Sequence, residues 1–172
     1  MRKLIVLVAL ALAIPAAAIA DTTPAQQSAA QAACRAQRTS ITDAAFKLLY
    51  GTNAGKSNAF GVCVSKSVKS AQANAAAALK TCKTEQAADR AAFAKKYGTG
   101  KNGTNALRRC VSATSGVADQ ANQAATIAAA KSCKTERGAG VAAFTAKYGT
   151  NADKSNAFGK CVSSKVKTTP TP

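Results

Sequence analysis

A motif repeated three times sets what this 172-residue chain can fold into, because it holds all six cysteines and every phenylalanine and tyrosine. The first copy runs through Cys34, Phe46, Tyr50, Gly51, Phe60 and Cys63, and the second through Cys82, Phe93, Tyr97, Gly98, Leu107 and Cys110. The third runs through Cys133, Phe144, Tyr148, Gly149, Phe158 and Cys161. Phe to Tyr is four residues and Tyr to the second Cys thirteen in every copy. Self-similarity on this scale marks one supersecondary unit used repeatedly, and cysteines at fixed spacing mark that unit as cross-linked.

The composition between the motifs favours helix. Alanine fills about a quarter of the chain, Lys, Gln, Glu and Arg are common, and no proline lies between Pro24 and Pro170. No stretch alternates as a strand does. The expected fold is all-α: disulfide-stapled helical hairpin repeats joined by long Ala-rich helices. Four helices are expected, at about 26–50, 57–97, 105–148 and 156–166, with breaks where Gly and Asn cluster after each motif tyrosine. The glycine following each tyrosine suits the left-handed residue that ends many helices, and Ser57, Thr104 and Ser155 suit N-caps. The middle helices have a place to bend near Gly116.

Eleven residues separate Cys82 from Phe93 and Cys133 from Phe144, close to three helical turns, which places Cys and Phe on one face. Tyr97 and Tyr148 fall one turn further along it. The first copy has twelve residues here, a rotation of roughly 100°. Thr39 to Asp43, poor in helix formers, is expected to absorb the extra residue as a bulge or a new helix start and to make this copy the least regular.

The organisation expected along the chain is a signal peptide at 1–20, a mobile leader at 21–33, repeats at 34–63, 82–110 and 133–161, helical linkers at 64–81 and 111–132, and a disordered tail at 162–172. Arg2 and Lys3, the apolar run Leu4 to Ile14, and Ala18-Ile19-Ala20 before Asp21 form a secretory signal with cleavage near Ala20-Asp21. The apolar run is short for a bilayer span of about 20 residues, and no transmembrane span is expected in the mature chain. Without Arg2 and Lys3, 22 of the 24 Lys and Arg remain against 7 acids, a net +15. Alanine buries little area, so the hydrophobic gain per residue is small at about 25 cal/mol per Å². Disulfides offset part of that deficit in an exported chain. The alanines of the two linkers would let facing helices approach closely.

Six cysteines allow fifteen pairings. Pairing within copies, Cys34–Cys63, Cys82–Cys110 and Cys133–Cys161, leaves none over and is favoured. It requires the Gly-rich stretch to run back along the first helix, because Cys82 would otherwise lie far from Cys110. The rival, Cys63–Cys82, Cys110–Cys133 and Cys34–Cys161, also uses every thiol but bends both linkers sharply.

Chemistry-bearing patterns are sparse. The chain has no histidine and no closely spaced cysteine pair of the zinc-binding kind. Of the loops after each tyrosine, only the third carries a carboxylate, Asp153, where calcium sites use several. No metal or other cofactor is expected, and the chain reads as a non-enzyme. Glu85 and Glu136, whose place Gln37 takes in the first copy, follow Lys83 and Lys134 and read as two acids on a solvated helix face. Ser164-x-x-Lys167 matches a Ser/Lys nucleophile pattern only formally, without its companion motifs. The rings Phe46, Tyr50, Phe60, Phe93, Tyr97, Phe144, Tyr148 and Phe158, with Leu107, read as the repeat core. The charge is the main functional clue. It is spread through the chain rather than gathered in one block. A folded domain so basic is drawn to polyanions, and the alternative is that the charge only keeps an alanine-rich chain soluble.

Phe144-Thr-Ala-Lys-Tyr-Gly-Thr-Asn followed by Asn156-Ala-Phe-Gly-Lys-Cys-Val resembles a motif of uncharacterised exported alanine-rich bacterial repeat proteins. The resemblance spans residues 33–163, fits best in the third copy and departs in the second at Gly100 and Leu107. It implies export and repetition and no catalytic activity. The reading is an exported structural or binding protein, secreted or wall-associated. It would be held electrostatically to an anionic wall polymer, polysaccharide or extracellular nucleic acid, although no specific nucleic-acid motif is present. The alternatives are a cationic membrane-active or antibacterial factor and, behind it, a small hydrolase.

Overall fold

The computed structural model describes residues 23–99 and 102–168. The expected signal peptide, its cleavage point and residues 169–172 of the expected tail lie outside them. The described residues form seven α-helices and no strand: α1 Pro24–Ile41, α2 Asp43–Tyr50, α3 Ala59–Ala88, α4 Arg90–Tyr97, α5 Ala106–Ala139, α6 Val141–Tyr148 and α7 Ala157–Thr168. The three disulfides close within copies, Cys34–Cys63, Cys82–Cys110 and Cys133–Cys161, with Cα–Cα separations of 6.1, 6.0 and 6.1 Å.

The first and last helices begin and end within two residues of the expected bounds near 26 and 166. The leader from residue 24 onward is helix α1, opened by Pro24 at its first position. A capping box closes its start: the Gln26 amide donates to Thr23 Oγ1 at 3.3 Å, and the Thr23 amide donates to Gln26 Oε1 at 3.1 Å. The expected tail is helical through Thr168, and its Val162 is buried.

Each of the first three expected long helices is in fact two. The breaks fall at Thr42, Asp89 and Gly140, each four residues before the motif phenylalanine. Thr42 takes a positive φ of 78° and Asp89 is extended, its Oδ1 accepting the Ala92 amide at 2.9 Å. The new start expected only in the first copy is therefore common to all three. The extra residue of that copy lengthens α1, whose last residue, Ile41, is buried. Helix α5 runs unbroken through Gly116.

These breaks answer the geometric objection to within-copy pairing. An unbroken helix would carry Tyr97 about 18 Å beyond Glu85 along its axis. Here α4 doubles back so that the Tyr97 hydroxyl meets the Glu85 side chain at 3.1 Å, and the following loop delivers Cys110 to Cys82. Cys and Phe meet by this fold-back rather than by sharing one helical face.

The two longest helices, α3 and α5, form an antiparallel hairpin that carries the linkers. The Cys82–Cys110 bond joins them near the tip, and Asn74 Nδ2 donates to Asp119 Oδ1 at 2.7 Å further down. Helix α1 lies along both, with Gln123 Nε2 donating to the Ala33 carbonyl at 3.1 Å. At the base, the first and third units share one core built on Cys34, Phe46, Cys63, Cys133, Phe144 and Phe158. At the tip, the second unit closes a separate, smaller core of Cys82, Phe93, Ala106 and Cys110. Between them the linkers of α3 and α5 approach closely, as their alanines allow. Small side chains of α1, α3 and α5, among them Ala29, Ala33, Ala71 and Ala75, leave a cavity of about 680 Å³.

The glycine after each tyrosine serves close approach and is not left-handed: φ is −69° at Gly51, −75° at Gly98 and −72° at Gly149. A Cβ on Gly98 would stand 2.4 Å from the Ala94 carbonyl oxygen and 2.6 Å from Gly103 Cα. The left-handed position comes five residues later, at Lys56, Gly103 and Lys154, each with φ 55°. Gly98→Ala is expected to destabilise by more than about 1 kcal/mol. Gly116→Ala, in mid-helix with nothing within 4 Å of a new Cβ, is expected to stabilise by about 0.5–1 kcal/mol. Denaturant midpoints of the two variants check the opposite signs.

Candidate functional site

Each unit clamps its tyrosine in the same way. The ring stacks tilted on the motif phenylalanine, with centroids 5.0 Å apart for Phe46–Tyr50 and 4.9 Å for Phe93–Tyr97 and Phe144–Tyr148. The hydroxyl reaches the helix before the break. Tyr50 donates to Gln37 Oε1 at 2.7 Å, Tyr97 to Glu85 Oε2 at 3.1 Å and Tyr148 to Glu136 Oε1 at 3.0 Å. Lys96 and Lys147 complete the second and third clamps, their Nζ atoms 2.7 and 2.8 Å from the same carboxylates and 4.8 and 4.9 Å from the tyrosine ring centroids. The tyrosines are thus half-buried pins between core and surface, whereas Phe46, Phe93, Phe144 and Phe158 are fully buried. Phe60 and Leu107 pack at the core margin.

Glu85 and Glu136 are therefore not merely solvated. The Lys96 ammonium, then the Tyr97 hydroxyl, hold the Glu85 carboxyl below its usual range, and Lys147 and Tyr148 do the same for Glu136. Burial pushes the Tyr50 hydroxyl up, partly offset by Gln37. A carboxylate with a depressed folded-state pKa contributes stability that is present above about pH 4.3 and fades as pH falls through the depressed value. The Tm should therefore fall on acidification, and E85Q/E136Q, which copies the Gln37 arrangement, should flatten that acid limb. Identical acid limbs in the two proteins would contradict the clamp.

The loops are latched by a second repeated device. The amides of Thr52, Thr99 and Thr150 each donate to the side-chain oxygen of Asn58, Asn105 or Asn156 at 3.0 Å. Those asparagines return a bond from Nδ2 to the threonine hydroxyl at 2.6, 2.7 and 2.8 Å. Asn58 and Asn105 occupy the N-cap positions expected of Ser57 and Thr104, yet their side chains serve the loop and not the helix. In the third loop the Asp153 carboxylate accepts the Ser155 amide at 3.1 Å. Ser164, of the formal Ser/Lys pattern, donates its hydroxyl to the Cys161 carbonyl at 2.8 Å.

All six described acids are engaged in this way. Asp43 pairs with Arg38 and Lys47, Glu85 with Lys96, and Glu136 with Lys147 and Lys165. Asp89 caps α4, Asp119 bridges the hairpin and Asp153 turns its loop. The described cations number 21, since Arg2, Lys3 and Lys101 lie outside, and none of them is buried. Arg108, Arg109, Lys131 and Lys134 are exposed and join no ion pair among the described residues. One surface concavity, about 540 Å³, gathers several cations: Lys96, Arg108 and Arg109 line it with Tyr97, Ser112 and Ala113. No described helix is long and apolar enough to cross a membrane.

Fold and surface together define an all-α protein stapled by three disulfides, with a strongly basic exterior. Compared with protein-family models, curated proteins and solved structures, the chain matches none.

Proposed function

We propose that this protein is an exported, non-enzymatic binding protein that associates electrostatically with anionic polymers at the cell surface. The observation that carries this reading is the asymmetry of its charges. Every described acid is held in an ion pair, a cap, a loop or, for Asp119, the bridge to Asn74, while most of the 21 described cations remain exposed and without a carboxylate. A folded body with such a surplus displaces counterions from a polyanion on binding. Three disulfides and the basic surface suit an oxidising compartment with anionic polymers. The membrane-active alternative is less well supported. Val117 and Val141 are the exposed large hydrophobics among the described residues, and they lie on different helices rather than forming an apolar face.

Fractionation of producing cells tests the proposal. The expected result is protein retained with the cell wall at low salt and released by a high-salt wash. Protein found wholly in the medium at low salt would overturn it.

A further inference from the structure

The second unit departs from both siblings at two positions, Lys95 and Arg108, near which the siblings pack together. Leu48 and Leu49 of the first unit lie against the shared core, and the Leu49 carbonyl sits 3.8 Å from where a Cβ on Gly159 of the third unit would stand. The second unit has Lys95 and Lys96 at the two leucine positions, where the third has Ala146 and Lys147. It has Arg108 where its siblings have Gly61 and Gly159, and Arg109 where they have Val62 and Lys160. Lys95 and Arg108 thus replace residues that are apolar or small in both siblings, Leu48 and Ala146, and Gly61 and Gly159. The second unit accordingly stands at the hairpin tip with a core of its own.

The replacements do nothing for the helix that carries them. Arg108 and Arg109 lie in the first turn of α5, which contains no acid, and cations are disfavoured there by the helix dipole. They find no carboxylate partner among the described residues, although Glu85 is close enough to hold Lys96. Between Lys80 and Arg109 the described residues carry seven Lys and Arg, all exposed, against Glu85 and Asp89. A local cost to the helix and a convergence of cations on one concavity fit a surface kept for an anion.

Resting on the proposed polyanion association, we infer that the cleft lined by Lys96, Arg108 and Arg109 is the principal contact of this protein with its polymer and that it takes phosphate groups along a linear chain. Two adjacent guanidinium groups present planar forks of donors. A phosphate, with its charge spread over several oxygens, can accept from both forks and from the Lys96 ammonium, whereas a carboxylate offers two oxygens.

Binding of the intact, oxidised protein to long-chain inorganic polyphosphate across a salt series tests this, with two charge-matched variants, R108Q/R109Q at the cleft and K131Q/K134Q on α5 away from it. Glutamine retains good helix propensity, and unchanged circular dichroism and thiol-free mass confirm folding of both. The expected result is a log affinity–log salt slope lower by about 2 for R108Q/R109Q and an unchanged slope for K131Q/K134Q. Equal losses in the two variants would overturn the cleft while leaving polyanion association standing. Failure of the unaltered protein to bind at low salt would overturn both. Polyglutamate of matched length binding as tightly as polyphosphate would overturn the preference for phosphate.

Discussion

Removing the Cys82–Cys110 bond by C82A/C110A is expected to unfold the second unit and leave the first and third folded. The bond closes a loop of 28 residues, for which the chain-entropy model gives about 3.5 kcal/mol. The unit has little to set against that loss. Its fully buried side chains are the two half-cystines, Phe93 and Ala106, with Tyr97, Leu107 and Val111 packed at the margin. The first and third units lean on each other through a core several times richer in buried residues. Peptide-resolved hydrogen exchange should therefore show fast exchange through residues 90–97 and the loop after them, and protection retained through α2 and α6. Uniform protection in the double variant would mean that the small core suffices without its staple. Loss of protection everywhere would mean that the hairpin couples the two ends.

Phe144→Ala is expected to cost about 3–5 kcal/mol, as for a large buried ring. Phe144 is 2% exposed, stacks at 4.9 Å on Tyr148 and lies 6.4 Å from Phe158 across the shared core. Its loss would also free the ring that Tyr148 uses to reach Glu136. Most stability in this core rests on few large side chains, because the surrounding buried positions are largely Ala and Cys. Phe60→Ala, at a half-buried position on the margin, should cost distinctly less. Denaturant unfolding of the pair measures the difference, and equal losses would argue against a shared core centred on the third unit.

Much of this architecture was legible in the residues because the constraints repeat. Three copies of Cys, Phe, Tyr, Gly and Cys at fixed spacing pointed to the helical units and favoured the within-copy disulfides. The first-copy break is flagged by the helix-poor stretch Thr39 to Asp43, but those at Asp89 and Gly140 are hidden because a helix reading by composition averages over single residues. The signal was present: Thr, Asp and Gly are all N-cap types, and each stands four residues before the motif phenylalanine. The tyrosine clamps are hidden for the same reason. Glu85 and Tyr97 lie too far apart along an unbroken helix to meet, so only the break makes their pairing visible. The glycine after each tyrosine suits left-handed backbone by its position, whereas the need there is space, a tertiary property that one residue type can satisfy for two reasons. The basic cleft could be found only by setting the second copy against its siblings once their packing face was known.

The measurement that bears most directly on polyanion association is the salt dependence of binding to long-chain polyphosphate. The account predicts binding at low salt whose log affinity falls linearly with log salt concentration, as counterion release requires. Affinity that does not change with salt, or no binding at low salt, would contradict it.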